Sequence, residues 1–218
     1  MTRHATNATR TTPTSYALLG LLAIRPSTAY ELTRQMRRAL RWAWLRSEAN
    51  LYHELKRLGA LGFVSAVEER TGQRARTRYE ITGPGRAALH EWLADGSPTP
   101  PRLELELALR VLFADQGSEE DLRRTIRTTR EQVSQVASQI APTLEEYARG
   151  EAAFPERFHL NMLFAGFVAG FYELVVRWCE DVERELERWE STDGVGETPG
   201  TREMLEGALA FYRSMGAR

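Results

Sequence analysis

The sequence predicts a mainly α-helical protein with one small β-hairpin. Three observations indicate this fold class. Residues 27–86 read as helix, helix, strand, turn, strand and the start of a further helix. Beyond residue 102, apolar residues recur in steps of four and three, the spacing of helices packed along one face. Residues 96–101, GSPTPP, form a Pro-rich linker between the two regions.

The order of the elements before the linker, with an apolar helix ahead of them, predicts a winged helix-turn-helix domain over residues 14–95. Residues 1–13 are rich in Thr and lack apolar periodicity, so we expect a disordered tail. Residues 102–218 are predicted to form a helical domain for dimerisation and effector binding.

The first two helices are predicted from caps and stop signals. Thr14 or Ser15 is expected to cap the segment YALLGLLAI, which ends at Arg25-Pro26. Ser27 or Thr28 then caps the segment AYELTRQMRRAL, whose apolar residues lie on one face.

The third helix is predicted to begin after Ser47 and to end near Gly59 and Gly62. Its inward face carries leucines at helical spacing: Leu51, Leu55 and Leu58. Two strands, GFVSAVE and RTRYEIT, follow, with a turn at Thr71-Gly72-Gln73. Thr82 is expected to cap a fourth helix that has Pro84 in its first turn.

The region after the linker opens with an ambiguous segment, RLELELALRVLF. Leu103, Leu105 and Leu107 alternate as in a strand, but the wider apolar spacing favours a helix. A capping box at Ser118 then begins a long helix that Pro142 is expected to kink or break. Its apolar positions form a heptad seam: Leu122, Ile126, Thr129, Val133, Val136 and Ile140.

A second seam is aromatic and steps in the same way: Leu160, Phe164, Phe167, Phe171, Leu174 and Trp178. Gly166 and Gly170 would allow another helix to approach closely. The seam has two interpretations, the core of a homodimer or a pocket for a small hydrophobic or aromatic effector, and a dimer cavity could be both. A last helix carries Met204, Ala208, Phe211 and Met215 on one face.

Charge divides the chain in two. Residues 1–95 carry 15 Lys and Arg against 8 Asp and Glu, a net charge of +7. Residues 96–218 carry 14 against 22, a net charge of −8. A basic domain of this fold suits a polyanion, whereas the acidic part suits solvent, a second subunit or a small ligand. We therefore predict that the first domain binds double-stranded DNA.

The predicted DNA contacts lie in three places. The third helix enters the major groove, where its outward donors reach bases and phosphates, and the turn between the strands is a wing against phosphates. The start of the second helix supplies the remaining contacts. The candidates are Ser27, Thr28, Tyr30, Ser47, Asn50, His53, Lys56, Arg57, Arg70, Arg74, Arg76 and Arg78.

No pattern of catalytic residues is found, and we expect no cofactor. The four histidines lack metal-ligand spacing, so no metal site is predicted. Cys179 is the only cysteine, which fits a reducing compartment. The N-terminus does not resemble a secretory signal, and the strongly apolar run from Met162 to Tyr172 is too short to span a bilayer. We therefore expect a soluble cytoplasmic protein without a membrane partner.

Four segments in order resemble the PadR family of transcriptional regulators: LLGLLA, AYEL, LYHELKRLGALGFV and RYEITGPGRAAL. The last contains the wing exit Tyr-x-x-Thr-x-x-Gly. The resemblance covers about residues 15–95, with Ala29 where the family often has Gly. The region opening with LALRVLF is similar to the AphA or virulence-activator type of C-terminal domain.

The resemblance implies that the Tyr52 hydroxyl contacts a phosphate rather than the core. It also favours repression over activation. The resulting hypothesis is a homodimeric, ligand-responsive repressor of a pseudo-palindromic operator. The alternative is a winged-helix module that binds other proteins without specific DNA binding.

Overall fold

The computed structural model of the chain describes residues 11–40, 48–71, 74–101, 103–152, 154–189 and 191–216. The described chain divides into two compact units, residues 1–101 and residues 102–218. The predicted N-terminal tail, apart from its last three residues, lies outside the described residues.

The first helix, α1, spans Pro13–Ile24 and begins earlier than the sequence predicted. Its N-cap is Thr12, whose Oγ1 accepts a hydrogen bond from the backbone N of Ser15. Thr14 and Ser15 are buried inside the first turn, so the expectation that one of them caps the helix is wrong. Pro13 explains the shift, because its fixed φ suits the first helical position and leaves Thr12 as the cap.

The second helix, α2, spans Ala29–Gln35 and continues as a π-helical turn at Met36–Leu40. Its predicted start after Thr28 is confirmed, with a capping box between Thr28 and Glu31. The third helix, α3, spans Glu48–Ala60. Its predicted cap, Ser47, lies outside the described residues.

A three-stranded antiparallel sheet follows α3, with β2 at Val64–Thr71 and β3 at Arg74–Ile81. A third strand, β1 at Ser27–Thr28, pairs with the other edge of β3, giving the order β1-β3-β2. The sequence did not predict β1, because two residues are too few to show an alternating pattern. The fourth helix, α4, spans Gly83–Asp95 with the predicted cap Thr82.

The first unit encloses its own core. The leucines predicted for the inward face of α3 are buried, which confirms the orientation of that helix. Tyr16 of α1 stacks on Trp92 of α4 with ring centroids 4.6 Å apart. The buried apolar residues of this unit are Leu18, Leu19, Leu22, Leu32, Met36, Leu51, Leu55, Leu58 and Val64.

The described residues of the second unit form four α-helices: α5 at Glu106–Leu112, α6 at Glu119–Ala148, α7 at Phe158–Leu186 and α8 at Pro199–Gly216. The choice of helix for the ambiguous segment is confirmed from Glu106 onward. Ser118 caps α6 with the predicted capping box. The helix runs through Pro142 to Ala148, so the expected break does not occur.

The core of the second unit lies between α6 and α7. Leu122 and Ile126, the first two positions of the predicted α6 seam, are buried. They pack against one stripe of α7 formed by Val175, Cys179, Val182 and Leu186. Burial and the nearby Glu183 raise the pKa of the Cys179 thiol. The fully buried stripe of α7 is therefore offset from the predicted aromatic seam, although Phe171 and Trp178 of the seam pack against the same core.

The apolar stretch of α7 is longer than the sequence analysis supposed. By length and composition alone, the helical segment Pro155–Leu186 could cross a membrane, with a mean hydropathy of 1.4 in its most apolar 18 residues. Only 11% of that window is buried within the described chain. The C-terminal part of the segment packs on α6, and the rest presents an apolar surface that the described chain leaves uncovered.

Candidate nucleic-acid interface

The exposed side of α3 carries polar and aromatic residues. Asn50, His53 and Lys56 are exposed, while Leu51 and Leu55 are buried in the core behind them. The side chain of Tyr52 is 50% exposed, so its hydroxyl lies at the surface. These residues combine amide, imidazole, ammonium and phenol donors on one helix, a chemistry suited to base edges and phosphate oxygens.

The start of α2 contributes one exposed aromatic residue, because Tyr30 is 69% exposed. Thr28 uses its side chain internally, accepting from the backbone N of Glu31 at 3.2 Å. Ser27 is fully buried, and its hydroxyl donates to the carbonyl oxygen of Arg25. The burial of Ser27 does not fit the predicted DNA contact, because its side chain presents no exposed surface to a duplex.

Arg57 differs from its predicted position on the outward face of α3. Its Nε and Nη2 donate to the two carboxylate oxygens of Glu54 at 3.0 and 2.6 Å. Burial raises the pKa of the Glu54 carboxyl, but hydrogen bonds from Arg57 and Ser15 outweigh burial and hold that pKa below its usual value. The bond to Glu54 raises the pKa of Arg57. The described conformation thus turns this guanidinium toward the protein.

The wing is the hairpin formed by β2 and β3. Arg76 is exposed, and Arg78 is partly buried with its Nη1 donating to Glu69 at 3.3 Å. Arg70 and Arg74 lie in the two strands, opposite Ala75 and Thr71 respectively, and their side chains lie outside the described structure. The register also brings acidic residues into the wing, with Glu69 opposite Arg76.

A compact set of hydrogen bonds attaches the wing to α4. Thr82 donates through Oγ1 to the carbonyl of Gly62 at 2.7 Å and accepts from the backbone N of Gly85 at 3.1 Å. A Cβ at Gly85 would lie only 2.2 Å from the carbonyl oxygen of Phe63. The spacing of Thr82 and Gly85 in the wing exit therefore has a structural reason: the helix start passes directly over the chain that enters β2.

The residues of the predicted aromatic seam of α7 differ in burial. Phe171 and Trp178 pack against the core between α6 and α7, and Phe164 is half-buried. Three residues of the seam stay exposed: Leu160, Phe167 and Leu174. A cleft of about 400 Å³ in this unit has a charged lining rather than an aromatic one: Arg123, Arg127, Arg130, Glu131, Glu183 and Glu187.

Sequence reasoning missed the groups that pair with the arginines. Glu54 lies between outward-facing residues of α3. Glu69 lies in a strand that is predicted from its aromatic and β-branched content, a signal that does not report on charge. For Glu54 a local signal existed, since an acidic residue three positions before an arginine can pair with it on a helix. Its other partner, Ser15, is 39 residues away and leaves no signal in the local sequence.

The helices, the three-stranded sheet and the wing define a winged-helix protein with a second, helical unit. Residues 18–91 match the model of the PadR-like family of transcriptional regulators, and residues 105–187 match that of the virulence activator alpha C-terminal domain. The first unit therefore matches the PadR-like family, whose description is that of regulators of transcription. The resemblance seen in the sequence is confirmed.

A curated relative is similar to part of the chain. The negative transcriptional regulator PadR of Bacillus subtilis (strain 168) is 30% identical over 99 residues, 45% of this chain and 54% of the relative. The match therefore spans about half of that relative.

Two solved structures share the fold. Bacillus subtilis PadR in complex with operator DNA is 21% identical, with a TM-score of 0.65 over 79% of this chain and 98% of that one. Bacillus subtilis PadR in complex with p-coumaric acid is 22% identical, with a TM-score of 0.62 over 82% and 99%. At these identities the likeness establishes the fold, which confirms the predicted winged-helix class.

Proposed function

We propose that this protein is a homodimeric transcriptional repressor that binds a pseudo-palindromic DNA site and responds to a small aromatic or hydrophobic ligand. The observation that carries the proposal is the exposed donor set of α3, held next to a wing that carries Arg76. A neighbour of the same fold was solved in complex with operator DNA, which supports the assignment of the ligand as a duplex.

DNA binding divides between α3 and the wing. In the proposed complex α3 lies in the major groove, where Asn50 and His53 contact base edges. Lys56, the Tyr52 hydroxyl and the wing arginines contact phosphates, with Tyr30 and Thr28 at the start of α2 beside them. Phosphate contacts fix the position of the domain on the duplex, whereas base contacts supply the preference for one sequence.

Dimerisation is proposed for the uncovered side of the second unit. Leu163 is 74% exposed and Phe167 68% exposed on one stripe of α7, a large apolar surface for a soluble monomer. A Cβ at Gly166 or Gly170 would meet no heavy atom within 4 Å, so no close contact within the described chain explains these glycines. A second copy of α7 packed against this stripe would explain both glycines.

The last helix adds to this surface. The Oγ1 of Thr198 donates to the buried carboxylate of Glu185 at 2.5 Å, which attaches the start of α8 to α7. The rest of α8 exposes apolar side chains: Met204, Leu205, Leu209, Phe211, Tyr212 and Met215. We propose that α8 also packs on the second subunit. Effector binding between subunits would then change the separation of the two α3 helices.

The ligand class follows from the aromatic residues of α7 and from the neighbour solved with p-coumaric acid. A ring-containing ligand would contact Phe164 and Phe171, which one protomer leaves half-buried. A DNA-binding repressor with one buried cysteine and no disulfide fits the cytoplasm.

Replacing a wing arginine tests the division of roles. Arg76→Ala is expected to weaken binding to specific and scrambled duplexes alike, and to reduce the dependence of log K on log salt by about 0.9 for the lost phosphate contact. His53→Ala should instead reduce the preference for the specific duplex by about 1–3 kcal/mol. Fluorescence anisotropy over a series of salt concentrations measures both quantities.

Arg124→Ala is the matched control, because Arg124 is an exposed arginine of the second unit, paired with Asp121. It should change neither the salt dependence nor the preference. If Arg76→Ala and His53→Ala had the same effect, the placement of α3 in the major groove would be wrong. If DNA binding by the wild-type chain did not depend on salt, the alternative function, a winged-helix module that binds other proteins, would be favoured.

A further inference from the structure

The α3 helix contains a buried charged residue between its exposed ones. Glu54 is 7% exposed, and its carboxylate accepts hydrogen bonds from four groups. Two come from Arg57, one from the Oγ1 of Thr12 at 3.1 Å and one from the hydroxyl of Ser15. The Nη2 of Arg57 also donates to the Ser15 Oγ at 2.8 Å. We call these four residues the Glu54 cluster.

The cluster joins two distant parts of the first unit. Thr12 and Ser15 form the capping box at the start of α1, where the Ser15 Oγ accepts from the backbone N of Thr12 at 2.8 Å. Glu54 and Arg57 lie one turn apart in α3. The groups that complete the N-terminus of α1 therefore also hold α3 in place, through charged and directional bonds rather than apolar packing alone.

A buried ion pair contributes little net stability over apolar residues of similar size, because both charges must lose their hydration. Its geometric effect is stronger. A bidentate guanidinium–carboxylate pair has a fixed geometry, and here a hydroxyl on α1 bonds to both partners. Such a pair therefore resists rotation of α3 about its own axis. Apolar packing of Leu51, Leu55 and Leu58 is not directional in this way, so by itself it would allow a small rotation.

We propose that Glu54 is a positioning residue for DNA recognition: it draws Arg57 away from the DNA-facing surface and fixes the rotation of α3 against α1. The proposal rests on the proposed function and names the device that orients its recognition helix. His53 directly precedes Glu54 and Lys56 directly precedes Arg57, so the rotation that the cluster sets decides where their exposed side chains point.

The two kinds of DNA contact respond differently to a loss of this restraint. Base contacts need donors within a few tenths of an ångström, so a small rotation of α3 removes them. Phosphate contacts by long, flexible side chains such as Lys56 tolerate the same rotation. Disruption of the cluster should therefore lower sequence preference without lowering the salt dependence of binding.

The test uses the full-length chain with Glu54→Gln, Arg57→Gln, Ser15→Ala and Lys56→Gln. Each variant is titrated with a duplex selected by the wild type and with a scrambled duplex of equal composition, over a range of salt and at a temperature where circular dichroism shows it folded. Glu54→Gln keeps the size of the side chain. Ser15→Ala removes one hydroxyl and serves if Glu54→Gln does not fold.

We expect Glu54→Gln, Arg57→Gln and Ser15→Ala to lower the ratio of specific to scrambled affinity about tenfold. Arg57→Gln and Ser15→Ala should leave the salt slope unchanged, whereas Glu54→Gln releases Arg57 and should not lower the slope. Lys56→Gln should lower the slope by about 0.9. A slope lowered by Arg57→Gln as much as by Lys56→Gln would overturn the proposal, because Arg57 would then neutralise a phosphate. If the folded Glu54→Gln variant kept the wild-type ratio of specific to scrambled affinity, the proposal would be wrong and the cluster would have only a structural role.

The failure of the proposed function has a different signature. A wild-type chain whose DNA affinity shows neither a salt slope nor a sequence preference would contradict DNA recognition itself. A wild-type chain with both properties, together with variants that keep the ratio, would contradict only the role of Glu54.

Discussion

Residues 1–95 expressed alone are expected to bind the operator at least about 100-fold more weakly than the full chain. One winged helix covers one half-site, and only a dimer makes the second contact intramolecular, which typically raises overall affinity by about 10²–10⁴. A titration of both proteins against the same duplex at one salt concentration measures the difference. The fragment should remain folded, since the core of the first unit lies within α1–α4.

A full-length variant separates dimerisation from loss of the second unit. Phe167→Glu combined with Leu174→Glu charges the exposed stripe of α7 without touching the core between α6 and α7. Light scattering should give twice 24.8 kDa for the wild type and 24.8 kDa for this variant, and the variant should bind DNA as weakly as the fragment. If the fragment and the full chain bound the duplex with equal affinity, we would conclude that the apolar seams of α6 and α7 pack within one chain and do not form a dimer interface.

Gly85→Ala should destabilise the first unit by about 3 kcal/mol, the upper part of the range for overpacking. The added Cβ would lie 2.2 Å from the carbonyl oxygen of Phe63, a backbone atom that can move only with the start of β2. The wing and α4 would have to separate, which also strains the bonds of Thr82. Urea unfolding followed by circular dichroism measures the free energy of unfolding of the variant.

Gly83→Ala is the matched control, since it lies two residues earlier in the same helix and its Cβ would meet nothing within 4 Å. It should leave the free energy of unfolding within about 0.5 kcal/mol of the wild type. A loss of stability that was equal at both positions would show that helix propensity, and not the contact with Phe63, decides the effect.

The elements that the sequence predicted well are those with strong local signals. Leucines at helical spacing placed the inward face of α3, the candidate caps Ser27 and Thr28 placed the start of α2, and the capping box at Ser118 placed the start of α6. The cap of α1 was misplaced because Thr12, Thr14 and Ser15 all offer a hydroxyl, and only Pro13 distinguishes them. Pro142 was expected to disturb α6, yet the helix continues past it.

The site was harder to predict than the fold. Asn50, His53, Lys56 and Arg76 lie at the surface, as their positions in the pattern indicated. Tyr52 is exposed as well, which the resemblance and not the pattern implied. Arg57 and Ser27 do not lie at the surface, because their surroundings depend on residues far away in the chain. Periodicity assigns a residue to a face, but it does not say whether a carboxylate from the same helix and a hydroxyl from α1 will draw that residue inward.

We propose that two copies of this chain bind a two-fold symmetric duplex. Selection from a pool of random duplexes by the full-length protein at physiological salt, with sequencing of the bound fraction, tests it most directly. We expect one enriched motif whose halves are related by two-fold symmetry, with centres separated by about 10 base pairs or a multiple of that distance. A pool that stayed random, or a single half-site enriched without a symmetric partner, would contradict the claim.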